Sequence, residues 1–124
     1  MEELEQWLEV AQENVQLDDE LNAFIAKERE ELSGAFCRSC GYCMPCTVGI
    51  QIRDCARMNM LLRRSPWQQY MTDDWKAKME KIDDCIECYS CASKCPYGLD
   101  TPKLLKYMLK DYREFYAEHM REEI

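Results

Sequence analysis

Apolar residues recur along this chain at steps of three and four. Leu4, Trp7, Leu8, Ala11 and Val15 mark one such face, and Leu21, Phe24, Ile25 and Leu32 mark a second, with Glu28 as a charged slip. That is the period of an α-helix with one buried side. Asp18 can cap the second helix, with Asp19 and Glu20 in its first turn, where the helix dipole favours negative charge. Gly34 is a natural stop. Further on, the spacing predicts a helix from about Ile50 to Arg63, with Ile52, Met58 and Leu62 among its apolar positions and Ser65-Pro66 at its end. Thr72 can cap a helix running toward Ile82. Thr101 can cap a last helix with Pro102 at its first position, where proline is tolerated. The apolar positions of that helix are Leu104, Leu105, Met108, Leu109, Tyr112, Phe115 and Tyr116. No strand-like alternation of useful length occurs. The pattern is that of an all-α protein with cysteine-bearing loops between helices.

Charge divides the same chain in two. Residues 1–33 carry 11 Asp/Glu against 2 Lys/Arg and no cysteine, whereas residues 34–124 carry 13 against 14 and all nine cysteines. The expected organisation is an acidic helical segment over 1–33 and a cysteine-bearing domain over 34–124. The overall charge of −8 argues against a nonspecific nucleic-acid binder, which needs a basic field. Four glycines and four prolines in 124 residues exclude collagen-like and Pro/Gly-rich disordered chains. No apolar run is long enough to span a bilayer, so no membrane partner is expected. The start, Met1-Glu2-Glu3-Leu4-Glu5, is acidic, unlike the basic opening of a signal peptide. The expected location is the cytoplasm. Disulfides are rare there, and clustered thiols more often bind metal.

The cysteines fall into two runs. The second is Cys85-Ile-Glu-Cys88-Tyr-Ser-Cys91-Ala-Ser-Lys-Cys95-Pro96, the spacing of a bacterial ferredoxin loop. Three thiols separated by two residues let one short loop wrap three corners of a [4Fe–4S] cubane and leave the fourth out of reach. The first run is Cys37-Arg-Ser-Cys40-Gly-Tyr-Cys43-Met-Pro-Cys46. Its last gap is two residues rather than three, and its proline precedes the last cysteine. The first three cysteines of each run stand 48 positions apart, and each run is followed by a glycine and an aliphatic residue, Gly49-Ile50 and Gly98-Leu99. The repeat is a cysteine loop, a glycine turn and a helix, used twice. In two-cluster ferredoxins the fourth cysteine ligates the other cluster. The expected ligands are therefore Cys37, Cys40, Cys43 and Cys95 for one cluster, and Cys85, Cys88, Cys91 and Cys46 for the other. Structural zinc is the competing reading, but zinc sites usually pair one C-x2-C knuckle with a distant second one.

Other residues are open to plainer readings. Cys55 lies in the predicted helix away from both loops and reads as a buried, inert thiol, with a spare ligand as the alternative. Tyr42, Tyr89 and Tyr97 stand within or beside the loops, placed either to shield a cluster or simply to pack. Arg53, Arg57 and Arg64 form a stripe along the predicted helix, suited to an acidic partner or to solvent. His119 is expected to be exposed, and Trp67, Tyr70 and Trp75 to pack the segment between the repeats.

Three stretches, Phe36-Cys-Arg-Ser-Cys-Gly-Tyr-Cys-Met-Pro-Cys46, Asp54-Cys-Ala-Arg-Met58 and Cys95-Pro-Tyr-Gly-Leu-Asp-Thr-Pro102, resemble the C-terminal region of iron–sulfur-containing aldo/keto reductases. The likeness extends over nearly the whole chain. Glu3-Leu-Glu-Gln-Trp7 and Leu17-Asp-Asp-Glu-Leu21 resemble the segment where that family leaves its barrel. Thr47 stands where the family commonly has proline. The resemblance implies an α-helical ferredoxin-like domain with two [4Fe–4S] clusters beside a nicotinamide-dependent (β/α)8 barrel. This chain is too short to hold such a barrel, which takes roughly 250 residues, so no catalytic residue carries over.

The leading expectation is an electron-transfer module serving an oxidoreductase catalytic domain or another redox protein. The alternative is a structural metal-binding interaction module, with iron–sulfur or zinc, that has no redox role. Catalysis by the chain alone would need a cluster with an open iron, and eight available loop thiols argue against that.

Overall fold

Every regular element in the computed structural model of the chain is helical, and the described residues, 1–121, contain no strand. Residues 122–124, the end of the expected 34–124 domain, lie outside the described residues. The all-α expectation holds. Contacts divide the chain into two compact units, one ending at Gly34 and the next beginning at Ala35.

The first unit holds α1 (Glu2–Glu13) and α2 (Asp19–Glu31). Asp18 caps α2 as its sequence position suggests, its side chain accepting from the Leu21 N–H at 2.8 Å. No residue of either helix is buried; Trp7 is 73% exposed and Phe24 61%.

The second unit contains α3 (Ile52–Cys55), α4 (Met58–Arg64), α5 (Asp73–Glu80), α6 (Ser90–Lys94) and α7 (Thr101–Met120). Single turns of 3-10 helix cover Trp67–Tyr70 and Lys81–Asp84. Thr72 caps α5 by accepting from the Trp75 N–H at 3.3 Å. Two expectations about helix bounds need correction. The helix expected over Ile50–Arg63 is two helices, because the Arg57 N–H bonds back three residues to Asp54 and Arg57 leaves the α region at ψ 8°. An unbroken helix would continue the face of Ile52, Cys55 and Ala56 onto polar Asn59. The break brings Met58 and Leu62 into the core instead, both almost wholly buried. The cap of α7 is Asp100 rather than Thr101. Its carboxylate accepts from the Lys103 N–H at 3.3 Å, while Thr101 is the first helical residue and is buried.

The core forms along α7, which packs against α3, α4, α5 and α6. Leu104, Leu105, Met108, Leu109 and Tyr112 supply its inner face. Ile50, Ile52, Met58, Leu62, Met79 and Ile82 come to meet them. Each such side chain stabilises the fold by about 1.5–3 kcal/mol when fully buried. At the far end, Trp67 meets the Phe115 ring edge-on at 5.9 Å, and Tyr70 meets Trp75 at 5.3 Å. His119 is not exposed as expected. One helical turn beyond Phe115, it stacks on that ring at 3.8 Å, and its Nδ1 lies 2.9 Å from the Phe115 carbonyl.

Candidate metal centres

The two cysteine loops share one backbone design. Ser39 and Glu87, each two residues after the first cysteine of its loop, have φ of 60° and 53°. Gly41 and Tyr89, each one residue after the second cysteine, have φ of 79° and 59°. Left-handed residues at these matched positions coil the chain tightly, as in the backbone concavities that cradle anions. Glycine adopts this conformation freely, whereas Tyr89 holds it at a steric cost. After each loop a positive-φ glycine turns the chain. The Gly49 N–H bonds the Cys46 carbonyl at 3.1 Å, and the Gly98 N–H bonds the Cys95 carbonyl at 3.4 Å. The turns lead into α3 and α7, whose inner faces form the floor of both sites.

Two small cavities lie among the loops. Cys37, Cys40, Cys43 and Cys95 line the first. Cys46, Cys85, Cys88 and Cys91 line the second, and Cys43 touches it as well. Ile52, almost wholly buried, lines both. Leu104 backs the first cavity and Leu105 the second, as neighbours on α7. Among the described residues, no three His, Cys, Asp or Glu side chains close on a point as a single metal ion needs. The thiol donor set suits iron–sulfur clusters, which thiolates hold.

The surroundings of the thiols differ. Burial pushes the Cys43, Cys85 and Cys91 thiols above their ordinary range, and neighbouring thiols add to the effect, Cys37 on Cys43 and Cys46 on Cys85 among them. Thiolates crowded in this way repel one another and gain from a bound cation. The exposed Cys88 goes the other way. The Ser90 backbone N–H and then the Thr47 hydroxyl lower its pKa, with Thr47 Oγ1 3.7 Å from the sulfur. Cys37 accepts from the Ser39 N–H at 3.4 Å. Arg38 lies over the Tyr97 ring at 4.2 Å, and Arg38, Arg53 and Tyr97 line the first cavity. Tyr89 lines the second, while Tyr42 lines neither and is 69% exposed.

Cys55 stands apart from both cavities. It is fully buried, its thiol points to the Lys78 carbonyl at 3.8 Å, and burial pushes its pKa up to about 12. Of the arginine stripe, Arg53 lies in α3, Arg57 caps the start of α4 and Arg64 is its last residue. Arg53 lines the first cavity, and Arg57 lies over the Phe36 ring at 6.0 Å. Three features of the site have no signal in residue type alone: the wall made by Ile52, the position of Cys43 beside both cavities, and the contact from Thr47 to Cys88. Thr47 could have been singled out by its place in the repeat, where Pro96 is its counterpart.

No helix among the described residues is long and apolar enough to cross a membrane. No curated protein and no solved structure matches the chain. The sequence profile of one family does, over residues 36–100, from the residue before the first cysteine to the cap of α7. That span contains both loops and both glycine turns and is more than half of the chain, which therefore belongs to the 4Fe-4S dicluster domain family.

Proposed function

We propose that each cavity holds one [4Fe–4S] cluster and that the chain relays single electrons to or from an oxidoreductase. The observation that carries this reading is the division of the eight loop thiols. Each cavity is lined by the first three cysteines of one loop and the last cysteine of the other. Cys37, Cys40, Cys43 and Cys95 are the ligands of the first cluster, and Cys85, Cys88, Cys91 and Cys46 those of the second. When bound, such clusters supply one-electron transfer at potentials set by burial, charge and hydrogen bonds to sulfur. The chain's own part is to hold the thiols and to keep water off them. Ile52, Leu104 and Leu105 wall the inner side of the cavities, while exposed Cys40 and Cys88 bring one edge of each site to the surface.

The partner is a catalytic domain of the aldo/keto reductase type. Support for it comes from the likeness of the three cysteine-bearing stretches and of the two helices in the acidic unit. That unit keeps Trp7, Leu8 and Phe24 exposed on helices without a buried residue. All nine cysteines are free thiols, which suits the reducing cytoplasm.

Anaerobically prepared protein tests the reading. Iron and sulfide matching two cubanes are expected, with a brown colour that dithionite bleaches and a paramagnetic signal from the reduced form. Colourless, zinc-loaded protein would refute it, and a redox-inert iron protein would leave only a structural role. Cys46→Ser should chiefly disturb the cluster held by Cys85, Cys88 and Cys91. Selective loss of the other cluster would refute the crossed assignment.

A further inference from the structure

The two loops are related by a repeat, but the residue after the last cysteine of each breaks it. After Cys95 comes Pro96, with neither a hydroxyl nor an N–H to donate. After Cys46 comes Thr47, whose Oγ1 lies 3.7 Å from Cys88 Sγ, 41 positions away in the other loop. Cys88 and Cys40 are the matched middle cysteines of the repeat. The Ser90 backbone N–H, like the Thr47 hydroxyl, lowers the pKa of the Cys88 thiol.

We infer that Thr47 is a positioning and tuning residue of the second site, and that it raises the reduction potential there through the hydroxyl hydrogen bond to Cys88. This inference rests on the reading of the second cavity as a cluster site. A free thiol and a hydroxyl can each donate to the other, so the contact has no fixed direction in the metal-free protein. A thiolate ligand has no proton. Once Cys88 ligates iron, only the Thr47 hydroxyl can donate. Adding an electron increases the negative charge on the ligand sulfurs. A donor aimed at one of them therefore stabilises the reduced form more than the oxidised form. The effect belongs to one site alone, since Pro96 leaves the repeat without an equivalent donor. Thr47 thus makes two sites of similar backbone design unequal in their readiness to take an electron.

The test is an anaerobic redox titration of the full chain, monitored by the paramagnetic signal of the reduced clusters. Cys88→Ser identifies which midpoint belongs to the second site. Thr47 is exposed, so Thr47→Val is tolerable to the fold while it removes the donor at nearly constant shape. In Thr47→Val the equilibrium constant for reduction of the second site should fall by about three- to tenfold, the upper end being 59 mV for a one-electron couple. The midpoint of the first site should stay in place, and Thr47→Ser should restore that of the second. Two intact clusters with both midpoints unmoved would overturn this inference alone, as would movement of the midpoint that Cys88→Ser leaves untouched. Protein without iron would overturn the cluster reading itself, and this inference with it.

Discussion

Arg63 and Asp111, 48 positions apart, join α4 to α7 through two parallel hydrogen bonds of 2.8 Å, one from each terminal nitrogen of the guanidinium. Arg63 also donates to the Asn59 carbonyl at 3.2 Å, and its guanidinium lies near the Phe115 ring. The bond to Asp111 pushes the already high pKa of Arg63 higher. Asp111 is mostly covered, whereas Arg63 is half exposed, so solvent screens the pair. The forked geometry still sets it apart from an ordinary surface ion pair. Arg63→Ala should destabilise the fold by about 1 kcal/mol, and Arg63→Lys should recover little of this, because an ammonium cannot form the fork. Denaturant unfolding of the three proteins checks the order, which a full recovery by lysine would contradict.

Tyr112 gives the fold a pH dependence at the alkaline end. Its hydroxyl donates to the Tyr70 carbonyl at 2.8 Å, and burial, with Tyr116 and Glu80 nearby, raises its pKa from 10.0 to about 12. The folded chain thus holds this proton more tightly than the unfolded chain. Its contribution is complete below pH 10 and declines as the pH rises from 10 toward 12. Tyr112→Phe should cost about 1 kcal/mol at pH 7 through the lost hydrogen bond. It should also flatten the alkaline decline in unfolding free energy measured between pH 9 and 11. An equally steep decline in the variant would show that other groups cause it.

Cys55 should behave as packing material rather than as a thiol reagent. With a pKa of about 12 and no exposed surface, it offers almost no accessible thiolate. Iodoacetamide at pH 8 should leave it unmodified in the folded protein and modify it after denaturation, as read by mass spectrometry. Cys55→Ala should retain the full iron content. Loss of half the iron would instead make Cys55 a ligand.

Ile52 is the wall common to both cavities, and Ile52→Ala should act on both at once. Truncating a fully buried isoleucine costs about 2–5 kcal/mol. It would also open a path for water and oxygen to both sites. Leu62 is equally buried and lines neither cavity, so Leu62→Ala is the control. The expected result is a comparable loss of stability in both variants, with faster bleaching in air only in Ile52→Ala. Equal bleaching would mean that global opening, not the wall, governs access.

Most of the helical architecture was legible because local chemistry decides it. Asp18 and Thr72 cap the helices they precede, and the apolar positions of α7 read at helical spacing are those that face or border the core. Three features were not legible, each because a distant segment decides it. The break at Arg57 answers to a core that prefers Met58 over Asn59. The shift of the α7 cap from Thr101 to Asp100 accompanies burial of Thr101, which lines the first cavity. His119 stacks where Phe115 and a tryptophan 52 positions back create a place for it. Within the site, cysteine spacing was informative because two-residue gaps place the thiols of one short loop around one cavity. The left-handed Ser39, Glu87 and Tyr89 carried no such mark, since only Gly41 among the four is of a type that advertises the conformation.

The division of thiols between the cavities also has a consequence during synthesis of the chain. The first cavity takes Cys37 and Cys95, which lie 58 positions apart. At about 5–20 residues per second, its fourth wall leaves the ribosome about 3 to 12 s after its first. For that interval the thiols of the leading loop have emerged without their fourth companion. Under the proposed ligation, the first site is complete only after Cys95 has followed Cys37, Cys40 and Cys43.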